Sequence, residues 1–270
     1  MRISISNLAW DISEDLDVLS LLKEFQVDAI DIAPGKYFPE PAKATTADIV
    51  AVKTWWKEQG VDIVGMQSLL FGTTGLNVFG SQAVQEKLLA HLADICRIGS
   101  VLGATRLVFG SPKNRDCSGL SATETERVAQ TFFRKLGDIA ADQGVIICLE
   151  PNPAVYGANF MTTSNETCNV VTGIAHPNIK MQLDTGAVII NQESIEAVVA
   201  QAKNVIGHVH ISEAQLATVG DTFNGHVALA EVLKTQLATF PATIEMLATK
   251  EESHLVSIRR ALSHVTSLYR

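Results

Sequence analysis

The chain has 270 residues, 47% hydrophobic and 19% charged, so a large buried core is attainable and extended disorder is excluded. A formal charge of −8 opposes any partner held mainly through phosphates, such as duplex DNA or another nucleic acid. Cys96, Cys117, Cys148 and Cys168 are far apart and form no C-x-x-C, which excludes a disulfide framework and a thiolate metal site. The opening residues, Arg2-Ile3-Ser4-Ile5-Ser6, carry no signal-peptide pattern, and no apolar run is long enough for a bilayer. The expectation is therefore a cytoplasmic protein with no membrane partner.

Taken in chain order, the strands are expected at Ile3–Ser6, Ala29–Ile32, Asp62–Gln67, Arg106–Phe109, Val145–Leu149, Ile179–Leu183, Val205–His210 and Ala242–Glu245. Most are rich in Ile, Val and Leu on consecutive residues, the pattern of strands buried on both faces. Between them, Val84–Leu102 and Thr125–Asp142 repeat apolar residues at helical spacing. Ser121-Ala-Thr-Glu124 and Thr163-Ser-Asn-Glu166 read as capping boxes, and Gly60, Gly103 and Gly144 stand where helices end before strands. No Pro/Gly/Ser-rich linker interrupts the alternation, and neither G-x-G-x-x-G nor G-x-x-x-x-G-K-[ST] is present. One domain over residues 1–270, an α/β fold closed as a single (β/α)8 barrel, is predicted over an open doubly wound sheet.

Four metal-type side chains end four successive strands: Glu150, Asp184, His210 and Glu245, at intervals of 34, 26 and 35 residues. Such an interval is roughly one βα unit. In one parallel sheet the four groups then emerge at the same C-terminal edge, where barrel enzymes build their sites. Three hard oxygen donors and one imidazole suit one divalent cation, Mn²⁺, Mg²⁺, Co²⁺ or Zn²⁺. A cation there polarises a sugar's carbonyl and hydroxyl oxygens and acidifies the neighbouring C–H. Glu150 and Glu245 are the candidates for moving that proton; Asp184 and His210 are the candidates for ligands alone. Each residue taken singly reads as a surface or N-cap carboxylate, but four in consecutive units do not.

Leu149-Glu150-Pro151-Asn152, Leu183-Asp184-Thr185-Gly186, His208-Val209-His210-Ile211-Ser212-Glu213 and Thr243-Ile244-Glu245 resemble the xylose isomerase-like TIM barrels. Within them the chain is most similar to the sugar phosphate isomerase/epimerase group that includes the ketose 3-epimerases. The resemblance implies one divalent metal held by Glu150, Asp184, His210 and Glu245, with the two glutamates moving a proton between the faces of a cis-enediolate. Two features depart from it. Ala187 stands where those epimerases place a substrate-binding His, and Ser212–Gly220 lacks their basic residue. The family's DNA-repair branch needs extra His ligands where this chain has Gln67 and Phe109-Gly110, so a nuclease is rejected.

Substrate contacts are expected from loops at the same edge. Lys113 and Arg115, in Gly110-Ser111-Pro112-Lys113-Asn114-Arg115, are either a grip for a phosphate or carboxylate or solvated charges. Lys36 shares that ambiguity. Trp10 is either an apolar wall for sugar carbons or barrel-top packing. Asn152 and Asn159 are hydroxyl donors or turn residues, and His226 contacts substrate or starts a helix. His208, two residues before His210, is expected to hydrogen bond behind the ligands rather than to be one. Glu213 is a candidate for the same supporting position. His91, His176, His254 and His264 read as surface residues.

These features make the chain a metal-dependent isomerase or epimerase of carbohydrate metabolism, acting on a small sugar or sugar phosphate; a homodimer is compatible with its charge. Two alternatives stay open at this level. One is a metal- and sugar-binding barrel without catalysis. The other is a metal-dependent dehydratase or lyase of a keto-polyol, which begins with the same deprotonation.

Overall fold

The computed structural model describes Met1 to Arg270 and places eight parallel strands in a ring that closes in chain order. They are β1 (Ile3–Ser6), β2 (Ala29–Ile32), β3 (Asp62–Met66), β4 (Arg106–Phe109), β5 (Ile146–Leu149), β6 (Ile179–Asp184), β7 (Ile206–Ile211) and β8 (Ala242–Ile244). β8 pairs with β1 through Ile3–Ala242, Ser4–Thr243 and Ile5–Ile244, which leaves no free edge. Eight outer helices follow: α1 (Asp15–Glu24), α2 (Thr46–Glu58), α3 (Gln82–Leu102), α4 (Ala122–Asp142), α5 (Ser164–Ile174), α6 (Ile195–Ala202), α7 (His226–Gln236) and α8 (His254–Tyr269). The predicted (β/α)8 barrel is the observed fold. No helix is long and apolar enough to cross a membrane.

Local signals account for the element ends. Ser121 Oγ accepts from the Glu124 amide at 3.3 Å, while the Glu124 carboxylate accepts from the Ser121 amide at 2.9 Å. The second expected box is only half formed. Thr163 Oγ1 caps the Glu166 amide at 3.1 Å, but the Glu166 carboxylate turns to the amides of Met161 and Thr162. Those two amides lie in the loop after β5 and have no ladder partner, so they outcompete the cap. Gly60, Gly103 and Gly144 all adopt positive φ, as a helix C-terminus demands.

The strands are not apolar on both faces. Ile3, Ile5, Ile30, Ile32, Leu107, Ile147, Leu149, Leu183, Val209 and Ile244 join the continuous apolar core beneath the helices. The alternate residues point into the lumen and are largely polar: Ser4, Ser6, Asp31, Gln182, His208, His210 and Thr243, every one buried. Bonds between strands that are not neighbours establish this. Gln67 donates to Ser6 Oγ, His208 Nε2 meets Asp31 Oδ2 at 2.7 Å, and Arg106 Nε donates to the Gly207 carbonyl at 2.9 Å. An eight-stranded barrel is just wide enough for inward side chains to meet, so polar groups on strands that are not neighbours bond directly to one another.

Gly65 makes room for the Asp31 end of this network. A Cβ there would lie 2.5 Å from Asp31 Oδ2 and 2.7 Å from its Cγ, and Asp31 cannot retreat without releasing His208. Gly65→Ala should therefore lower the unfolding free energy by about 1–3 kcal/mol in chemical denaturation. An unchanged midpoint would show the lumen to be looser than these distances imply.

Candidate metal centre

Glu150 lies immediately after β5, Asp184 ends β6, His210 lies in β7, and Glu245 lies immediately after β8. Parallel pairing carries all four to one mouth, and one donor atom from each lies within 4.8 Å of the other three. His210 Nδ1 is central, 3.4 Å from Glu150 Oε1 and 3.1 Å from Glu245 Oε2. Asp184 is oriented from behind: Ser212 Oγ donates to its Oδ1, and the Ala187 amide donates to its Oδ2 at 2.9 Å. Ala187 thus supplies a backbone donor through Asp184's N-cap to the short helix Thr185–Ile190. Gly110 completes the cradle, since a Cβ there would sit 2.0 Å from Glu150 Oε2.

Three carboxylates in so small a volume repel one another. Burial raises the pKa of Glu150, and the neighbouring Glu245 carboxylate adds to the shift. Burial, with the charges of Glu150 and Glu245, pushes Asp184 up to about 7. Burial alone would lower His210, but Glu245, Asp31 and Glu150 raise it well above its ordinary value. Glu150 Oε1 is buried without a hydrogen-bond partner. A hard divalent cation fits this set: it answers the repulsion and uses the unpartnered oxygen.

Asp31, absent from the residues expected at the site, lies behind His210. Its Oδ2 is 2.7 Å from His208 Nε2 and 3.8 Å from His210 Nε2. Its carboxyl stays well below the ordinary carboxylate range, because the two imidazoles outweigh the effect of burial. Asp31 thus lies on the Nε2 side of His210, while Nδ1 faces the carboxylate cluster. The signal was present in Ala-Ile-Asp-Ile: alternation puts Ile30 and Ile32 outside and Asp31 inside.

Glu150, Asp184 and Glu245 line a cavity of about 490 Å³. Asn152 lines it too, with Nδ2 3.4 Å from Glu150 Oε2. Other lining residues are Gln67, Leu69, Phe71, Tyr156, Gln215, Leu216 and Leu247, none of which had been expected to contact a ligand. They lie in loops, where no periodicity marks them.

The remaining expected substrate residues are elsewhere. Trp10 is fully buried and donates from Nε1 to Asp15 at 2.7 Å, so it is packing rather than a wall. Lys36 is consumed by the carbonyls of Asn7 and Trp10. Lys113 is exposed and outside the cavity. Arg115 is fully buried; it donates to the Glu150 carbonyl at 2.7 Å, and burial brings its pKa down to about 10. It braces the glutamate's backbone instead of gripping an anion. Asn159 ties Asp116 and Ser118 in an exposed loop. His226 is buried at the start of α7 between Glu213 and Tyr269, away from the cavity. His208 is buried in the lumen beside His210, with Nε2 2.7 Å from Asp31 Oδ2. His91 and His254 are half-buried and hydrogen bonded to the Leu69 carbonyl and to Glu14, so they are not free surface groups.

With divalent cations chelated, Asp184 holds its proton to about 7 in the fold and only to about 4 in the unfolded chain. The native state then binds more protons between these values, so stability should fall as pH rises from about 4 to about 7. Added Mn²⁺ should raise the calorimetric melting temperature more at about pH 8 than at about pH 5, where it must displace protons. Equal gains would show that Asp184 does not ligate.

A family model described as xylose isomerase-like TIM barrel matches residues 19–255. L-ribulose 3-epimerase of Methylomonas sp. strain DH-1 is 26% identical over 150 residues, 54% of this chain and 52% of that enzyme. The chain thus matches about half the length of this curated relative. Among solved structures, D-psicose 3-epimerase with D-tagatose from Clostridium cellulolyticum H10 has a TM-score of 0.82 at 17% identity, covering 100% of both chains. The 3-keto-D-glucoside 4-epimerase of E. coli has a TM-score of 0.81 at 18% identity, covering 99% of each. At these identities the structures establish a shared fold.

Proposed function

Because the chain belongs to the xylose isomerase-like TIM barrel family, we propose that it is a divalent-metal-dependent epimerase or isomerase of an unphosphorylated ketose, acting as one cytoplasmic barrel domain of residues 1–270. The observation that carries this reading is the convergence of Glu150, Asp184, His210 and Glu245, whose three carboxylates line the cavity. The sugar class is supported by the partial match to L-ribulose 3-epimerase. The lining supports an unphosphorylated substrate over a sugar phosphate, since Glu150, Asp184 and Glu245 are its only charged residues. With Arg115 buried behind Glu150 and Lys113 outside, the cavity has no cationic side chain for a phosphate.

Glu150, Asp184, His210 through Nδ1 and Glu245 would hold the metal. When bound, the metal supplies polarisation of the ketose carbonyl and hydroxyl oxygens, which acidifies the adjoining C–H. Glu150 and Glu245 sit on strands three places apart in the ring, so they approach a ligand from different sides. One takes the proton from carbon to leave an ene-diolate, and the other returns a proton to the opposite face. Burial and mutual repulsion favour the protonated form of Glu150, which suits a carboxyl that must also donate. Asn152 can donate to a sugar hydroxyl and Gln67 Oε1 can accept from one, while Leu69 and Leu216 give the cavity apolar walls.

Incubation with Mn²⁺ in D₂O and D-fructose, D-tagatose, D-allulose or L-ribulose should exchange one carbon-bound proton, and EDTA should abolish this. Glu150→Gln and Glu245→Gln should each reduce the exchange by about 10²–10⁴-fold with the fold intact by circular dichroism. Substantial exchange in either variant would sink the two-glutamate mechanism. Tight Mn²⁺ binding without exchange of any ketose would favour a binding barrel, and loss of water from the product a dehydratase. Any ketose that turns over should have a higher kcat/KM than its phosphate ester; a preference for the ester would overturn the assignment of a neutral substrate.

A further inference from the structure

The loop between β7 and α7 holds two residues in a strained conformation. Gln215 and Leu216 have φ of 58° and 53°, left-handed values that non-glycine residues keep only when their surroundings enforce them. Both line the cavity. The Gln215 amide donates to Tyr156 Oη at 2.6 Å, and the Leu247 amide donates to the Leu216 carbonyl at 3.0 Å. This one step therefore joins the mouth loops that follow β5, β7 and β8.

Glu213 closes the loop on itself. Its buried carboxylate accepts from the amides of Gly220 and Thr222, from Thr222 Oγ1, and from His226 Nε2 at 3.0 Å. His226 Nδ1 lies 2.8 Å from Tyr269 Oη. A carboxylate only accepts, so Nε2 carries the hydrogen toward Glu213, while Nδ1 faces the Tyr269 hydroxyl. Tyr269, on α8, is fully buried, and its carbonyl accepts from the Met1 ammonium at 3.2 Å. Burial alone would raise the pKa of Glu213, yet its four donors bring it down to about 2, so the carboxylate is ionised throughout the neutral range. Glu213, His226 and Tyr269 neither line the cavity nor belong to the four-donor cluster.

We propose that Glu213, held by His226 and Tyr269, is the positioning residue that fixes Gln215 and Leu216 against the substrate, and so sets substrate affinity while leaving the proton-transfer step to Glu150 and Glu245. The kinetic part of this inference rests on the epimerase reading; the conformational part does not.

Tyr269→Phe removes one hydroxyl from the end of the chain of bonds and keeps the packing. With the full-length Mn²⁺-loaded protein, hydrogen exchange read by mass spectrometry should accelerate about fivefold at the amides of residues 213–222, the scale of one neutral hydrogen bond, with no change in the strands. KM for the fastest-reacting of the four ketoses should rise by a similar factor at constant kcat, and Mn²⁺ affinity should be unchanged. Glu213→Gln should show the same pattern, larger; if it does not fold, Tyr269→Phe decides alone. Faster exchange in strands and loop alike with unchanged KM would overturn the proposal in favour of a purely structural bond. A fall in kcat at constant KM would also overturn it. If the native protein turns over no ketose, the epimerase reading fails, and loop-selective exchange alone then upholds or overturns the clamp.

Discussion

The structure depends on the enclosure of three carboxylates around one imidazole. Glu150, Asp184 and Glu245 lie close enough to share a single ion, in surroundings where like charges are poorly screened. An isolated protein would relieve this by protonation, and Asp184 moves that way. The surrounding groups instead hold the carboxylates in place: Ser212 and the Ala187 amide on Asp184, Arg115 on the Glu150 backbone, and Gly110 leaving space beside Glu150. These contacts keep the oxygens convergent where relaxation would separate them. A divalent cation would offset the repulsion that this convergence maintains.

The lumen extends that site downward. Asp31 and His208 form a buried pair across the barrel, and Asp31 also faces the far nitrogen of His210. The orientation of one donor thus depends on β2, on the opposite wall, and on the absence of a side chain at Gly65. Above the floor, the mouth is built from loops tied to one another rather than to the sheet. The Glu213 cluster supports strained residues that face the cavity, so strain at the mouth is balanced by ionic hydrogen bonds beneath it. The barrel positions the four clustered side chains, and the loops shape the cavity above them.

The sequence by itself determined the eight strands to within one residue at each end, the closed barrel, and the four donors at successive strand ends. All of this rests on local periodicity and on the rule that parallel strands present their C-terminal ends at one edge. It did not separate the lumen from the outer face, because consecutive apolar letters hid an alternation whose polar members meet only across the barrel. It also left open whether Trp10, Lys113, Arg115 and His226 meet the cavity, and none of them does. Whether a loop charge reaches a cavity or turns beneath a strand depends on backbone paths that carry no period. Only the tertiary structure decided that Arg115 lies behind Glu150, that Asp31 faces His210, and that Gln215 and Leu216 enter the cavity. Those relations join segments far apart in the chain, as Asp31 and His208 are at 177 residues, and exist only once the ring has closed.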